Sequence, residues 1–178
     1  MVFSAYKGVF MSVSIYDVSL PVFVKVLDNL SKILARAAEQ AEARKIDPSV
    51  LVNARLAPDM FPLSRQVQIA TDGVKGCAAR LAGIEIPSYE DSEKTFEDLQ
   101  ARIAKTIAFV QSVSKAQVNG SETKAISLKV GGQELNFTGL AYLTDFVLPN
   151  LYFHATTTYA ILRHNGIDIG KKDFLGAR

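Results

Sequence analysis

SLPVFVKVLDNLSKILARAAEQAEAR, residues Ser19 to Arg44, decides the fold class. Leu20, Leu27, Leu34 and Ala41 recur every seven residues, with Phe23, Leu30 and Ala37 between them. That alternation draws an apolar seam along one face of a long helix. Lys25, Asp28, Lys32, Arg36 and Glu39 fall on the outer side, and Pro21 occupies the first turn, where its missing N–H costs nothing. A helix with one apolar face needs partners of the same kind.

The rest of the chain supplies them. A second long helix is expected from about Pro62, with Leu63, Val67, Ala70, Val74, Cys77 and Leu81 in phase and Gly83 as its stop. Gly73 and Gly76 lie inside it, and each costs roughly 1 kcal/mol relative to alanine, so a close helix approach or room for a ligand is expected there. Asp59 stands where it could cap the helix start, and Pro48–Asn53 suits a short helical turn. Thr95-Phe-Glu-Asp98 has capping-box spacing and opens a third helix with the stripe Phe96, Leu99, Ile103, Ile107, Val110 and Val113. Between Lys124 and Thr138 the period drops to two around Gly131-Gly132, which predicts a β-hairpin with a primed turn. A fourth helix follows from Gly139 to His164, closed by Asn165-Gly166 and kinked where Pro149 removes a bond toward Asp145. The expected fold is all-α: an antiparallel-type four-helix bundle with a small hairpin between helices 3 and 4.

Composition narrows the function classes. Hydrophobic residues make up 48% and charged residues 21% of the 178, which argues against disorder and suits one bundle domain over 11–178. Residues 1–10 join no seam and are expected to be a dispensable extension. The net charge of +2 is spread among interspersed acids, so no nucleic-acid partner is expected. No run is long or apolar enough for a membrane span and none resembles a secretory signal, so no membrane partner and a cytoplasmic location are expected. Cys77 is alone and on an apolar stripe, which predicts an inert buried thiol.

The candidate site lies on the fourth helix. Its stripe Leu140, Leu143, Val147 continues in the same phase to Asn150, His154, Thr158 and Ile161. Three polar side chains thus occupy positions where apolar ones are expected, and Asn150 and His154 share one face. Either they are core groups satisfied by their neighbours or they address a ligand. On the second helix Gln66 shares a face with Ala70 and Gly73, whereas Gln68 suits a solvated side. No phosphate-binding or serine-hydrolase motif is present.

Asp59-Met-Phe-Pro-Leu63 and Tyr159-Ala-Ile-Leu-Arg-His-Asn-Gly166 resemble a bacterial and fungal subfamily, of unknown function, of the DinB/YfiT-like bundles. The resemblance spans about Met11 to Gly176. It implies a metal held by one histidine of the second helix and an H-x-x-x-H pair of the fourth. Here His154 takes the second place of that pair, Asn150 the first, and Gln68 or Ile69 the second-helix place. One imidazole and two amides make a poor transition-metal set, so neither metal nor cofactor is expected. The leading expectation is a pocket for a small, partly apolar molecule. His154 is its acid/base group, and Asn150, Thr158, Gln66, Gln68, Met60 and Phe61 contact the ligand. The alternatives are a metal-dependent thiol S-transferase and a non-catalytic dimerisation or scaffold bundle. A homodimer is expected through helix faces bearing Phe153, Tyr152 and Phe109.

Overall fold

The computed structural model describes residues 13–176, so the extension at residues 1–10 lies outside the described residues. The elements run α1 (Leu20–Ala43), α2 (Pro48–Val52), α3 (Leu63–Ala82), α4 (Phe96–Ser112), α5 (Lys115–Val118), β1 (Ala125–Val130) and β2 (Gln133–Thr138). They continue with α6 (Gly139–Ala141), a π-helical turn (Tyr142–Val147), α7 (Leu148–His164) and α8 (Lys171–Leu175). Every seam residue of the first helix is buried, as are Leu63, Val67, Ala70, Val74, Cys77 and Leu81 on α3. Phe96, Leu99, Ile103 and Val110 of α4 complete the shared core.

The long helices form a ring in which α1 lies against α4, α4 against α3, α3 against α7, and α7 returns to α1. The pairs α1–α3 and α4–α7 are the diagonals. Connections 44–62 and 113–138 therefore cross the bundle ends diagonally, whereas 83–95 joins neighbours. The crossing segments hold α2, α5 and the hairpin. Strands β1 and β2 pair antiparallel from Ala125↔Thr138 to Val130↔Gln133, and Gly131 and Gly132 both take positive φ, as a primed turn requires. Ile126 is buried, and Phe137 meets Tyr142 and Phe146 at ring separations of 5.9 and 5.7 Å. The hairpin is thus held by the bundle rather than standing alone.

Four local expectations are corrected. The fourth helix is not one kinked rod: the wide turn Tyr142–Val147 precedes Pro149, and Leu148 N–H reaches back to the Leu143 carbonyl. Pro149 then stands in the first turn of α7, where its missing N–H does not break an established ladder. The inward stripe of the fourth helix differs from the expected one at two positions. Leu151 is buried where Asn150 was expected, and Leu140 is exposed. Neither Gly73 nor Gly76 marks a close helix approach. Nothing lies within 4 Å of a β-carbon at Gly73, and the nearest group at Gly76 is the Arg80 guanidinium of the same helix. Asp59 does not cap α3; Pro62 is the cap position, with no side-chain bond.

Candidate functional site

Gln66 joins three segments. It lies one turn into α3, just after the loop that carries Met60 and Phe61. Its Nε2 donates to the Phe61 carbonyl at 3.0 Å, and because a carbonyl only accepts, this contact sets the orientation of the amide. Oε1 is thereby turned toward α7, where His154 Nδ1 lies 2.7 Å away. An amide oxygen cannot donate, so Nδ1 carries the proton and Nε2 of the neutral ring keeps its lone pair. Among the described residues Nε2 has no protein partner. It is also not a stranded buried atom, since Ser121 Oγ is the sole unpartnered buried side-chain polar atom there. Nε2 therefore opens to solvent, although the residue as a whole is 8% exposed.

Electrostatics favour the neutral ring. Burial lowers the His154 pKa below its usual 6.5, and the Arg65 charge lowers it further. Phe153 meets the imidazole edge-on at 5.2 Å and is 56% exposed, which leaves apolar surface next to the ring. Thr158, fully buried, donates its hydroxyl to the His154 carbonyl at 2.9 Å and so holds the helix turn rather than a ligand. Cys77 is buried, and desolvation pushes its thiol far up, out of the range of a nucleophile.

The remaining expected site residues are not brought to the imidazole by any hydrogen bond. Asn150, half-buried, donates from Nδ2 to the Phe146 carbonyl at 2.6 Å, serving a carbonyl of the π turn. Gln68 is buried, not solvated, and turns away from α7. Its Nε2 donates to Glu93 at 2.8 Å and its Oε1 accepts from Arg65 at 3.2 Å. Met60 is half-buried and its carbonyl accepts from Arg55. The Phe61 side chain is 55% exposed, so its backbone rather than its ring supports Gln66.

A second polar centre escaped the sequence reading. The Arg102 side chain on α4 is buried to 2% exposure, and its Nε donates to Thr71 at 2.8 Å. The two terminal nitrogens reach the Glu90 carbonyl at 3.0 Å, Glu93 at 2.8 Å, Asp91 at 3.1 Å and Asp72 at 2.9 Å. Burial works against its charge, but the Glu93 hydrogen bond and the fields of Asp72, Glu93 and Asp91 hold its pKa above the ordinary value. Lys75, also buried, pairs with Asp72 at 2.8 Å and lies 3.8 Å from the Tyr89 ring centre. The signal was present: Arg102 and Thr106 follow Leu99 at helical spacing, opposite the acidic loop Glu90-Asp91-Ser92-Glu93. This network binds the 83–95 connection to α3 and α4.

Residues 15–175 match the family described as Domain of unknown function (DUF1993). The chain belongs to this family. A solved structure described as a DinB family member protein from Shewanella denitrificans is 43% identical to this DUF1993 member. It covers 92% of both chains at a TM-score of 0.82, so the helical bundle is that of the DinB-like proteins. No curated protein matches. The metal implied by the DinB resemblance does not fit this donor set. Among the described residues no three His, Cys, Asp or Glu side chains converge on one point. Of the expected ligand positions, Asn150 bonds its own helix and Gln68 faces Glu93. No helix among the described residues is long and apolar enough to cross a membrane.

Proposed function

We propose that this DUF1993 member binds a small, partly apolar molecule at the α3–α7 surface, with His154 Nε2 accepting a hydrogen bond or a proton from it. The carrying observation is the Phe61–Gln66–His154 relay, which holds one tautomer with its basic nitrogen toward solvent. A buried amide that fixes an imidazole in this way serves the same purpose as the carboxylate or carbonyl behind many acid–base histidines. Phe153 supplies apolar surface next to the imidazole. The ligand class is thus an apolar body bearing one O–H or N–H.

The test uses histidine-labelled protein and NMR titration with small aromatic alcohols and amides. Binders should move the Nε2 resonance, and His154→Leu should weaken them about tenfold or more, the value of one good hydrogen bond. The variant should also lose roughly 1–3 kcal/mol of stability, because Gln66 Oε1 is left without its donor. Acidification supplies an independent readout. The folded pKa lies below the unfolded value, so the stability tied to the neutral ring is complete above about pH 6.5 and is lost as pH falls through the folded pKa. Wild type should therefore lose more stability than His154→Leu between about pH 8 and about pH 5. Equal losses, with no Nε2 response to any compound, reject the proposal.

A second reading is favoured by the exposure of Phe153 (56%), Phe61 (55%) and Tyr152 (43%), which would suit a homodimer through this face. Phe109 does not contribute, since it packs against the core. Light scattering that returns the monomer mass at micromolar concentration would remove the dimer.

A further inference from the structure

A different part of the molecule carries a ligand site of another kind. On α1, Lys25, Asn29, Lys32 and Arg36 follow one another at spacings of four, three and four, so they line one stripe of the helix. The C-terminal segment lies alongside that stripe. Gln40 exchanges two hydrogen bonds with Asp168, at 3.1 and 2.7 Å, Arg44 donates to the Gly166 carbonyl at 2.8 Å, and Arg36 pairs with Asp173. What would be a solvated helix face is thereby walled by α8 into a cleft of about 510 Å³.

The floor of this cleft is fixed. Asn29 is buried to 6% exposure and donates from Nδ2 to the Phe174 carbonyl at 3.1 Å. Gly176 passes over it with φ +75, and a β-carbon there would stand 2.6 Å from Asn29 Oδ1. Glycine is required on both counts.

The charge of the lining is one-sided. Lys25, Lys32, Arg36 and Lys172 face two acids, Asp28 and Asp173. Both acids are already engaged, Asp28 with Lys32 at 2.6 Å and Asp173 with Arg36 and the Gly170 N–H. Lys25 and Lys172 have no acidic partner among the described residues. The excess of two positive charges in this one cleft equals the formal net charge of the whole chain. Lys25 and Asp28 also wall a neighbouring cleft of about 550 Å³ between α1 and α4, whose lining is mostly apolar (Leu20, Pro21, Val24, Ile107 and Val110) with Tyr16 and Gln111 at its polar side.

We infer that the α1–α8 cleft binds the anionic head, phosphate or carboxylate, of a small amphiphile whose apolar body extends over Lys25 into the α1–α4 cleft. Charge complementarity selects the head, and the adjoining apolar wall selects a chain-bearing molecule over a bare anion. The site is independent of His154.

Calorimetric titration tests this with decanoate, decyl phosphate, acetate and inorganic phosphate, each below its micelle concentration. At least one of the two decyl compounds should bind, more tightly than its short counterpart, and whichever binds tells whether the head is carboxylate or phosphate. Lys25→Ala combined with Lys172→Ala, both at exposed positions, should weaken that binding about tenfold or more, whereas Lys171→Ala should leave it unchanged. The inference is overturned if neither decyl compound binds, if chain length makes no difference, or if the double variant binds as well as wild type. Loss in Lys171→Ala as large as in the double variant overturns it too, since that would show unspecific surface charge.

Discussion

Replacing Arg102 by leucine should lower the thermal midpoint by roughly 10 °C. The side chain is almost fully enclosed and satisfies Thr71, Glu93, Asp91, Asp72 and the Glu90 carbonyl at once. Truncating one member of a buried ionic network costs about 3–5 kcal/mol where it strands a partner charge. Asp72 keeps Lys75 and Asp91 keeps Arg65, whereas Glu93 loses its cation. Glu93, 11% exposed, would suffer most. In a domain of this size each kcal/mol moves the midpoint by about 2–4 °C. Lysine should not rescue the loss, since a single ammonium cannot reproduce the fork that reaches Thr71 and Asp72 from different nitrogens. Scanning calorimetry of both variants decides the matter. A leucine variant within about 2 °C of wild type would show that the network contributes nothing to stability.

Gly139→Ala should be the second severe change. A β-carbon there would stand 1.9 Å from the Ser121 carbonyl oxygen and 3.3 Å from Leu81. The obstacle is backbone, and it is held in place: Ser121 accepts from Lys124 N–H at 3.1 Å, and Leu140 N–H donates to Glu122 at 2.9 Å. Neither side can yield without breaking the junction between hairpin and α6, so a loss of about 3 kcal/mol is expected. Gly73→Ala is the control. It meets open space in a helix interior and should be neutral or up to about 1 kcal/mol stabilising. Chemical denaturation should show a loss of stability for Gly139→Ala and none for Gly73→Ala, and a neutral Gly139→Ala would contradict the packing described.

These two positions show what periodicity can and cannot reveal. The seams of α1 and α3 were legible because apolar burial repeats with the helix and leaves the same trace in the chain. The hairpin was legible from its change of period and its paired glycines. Arg102 and Lys75 were not, because charged residues are assigned to solvent by default and their enclosure depends on how the irregular 83–95 connection folds back on α3 and α4. Gly139 was read only as a helix start, since its neighbour Ser121 lies across the hairpin. At the candidate site the pairing of His154 with a second-helix glutamine was within reach of helical spacing, whereas the choice of Gln66 over Gln68 was not. That choice rests on the Phe61 carbonyl, which orients one amide, and on Glu93, which draws the other away. Asn150 was misplaced because the stripe steps by four from Val147 to Leu151 and then by three to His154, where a step of three and then four was read.

That π turn works as an angular setting for everything after it. One additional residue in a helical turn rotates the downstream segment by about 100° relative to an uninterrupted helix. The turn lies immediately before α7, the helix from which His154 meets Gln66. Relatives with an ordinary α-turn at this point would present a different residue to α3 from an otherwise identical helix. Aligned by sequence alone, their polar positions would correspond to this chain's while pointing elsewhere. A one-residue gap before the proline is therefore the place to look when histidines of two such proteins are compared.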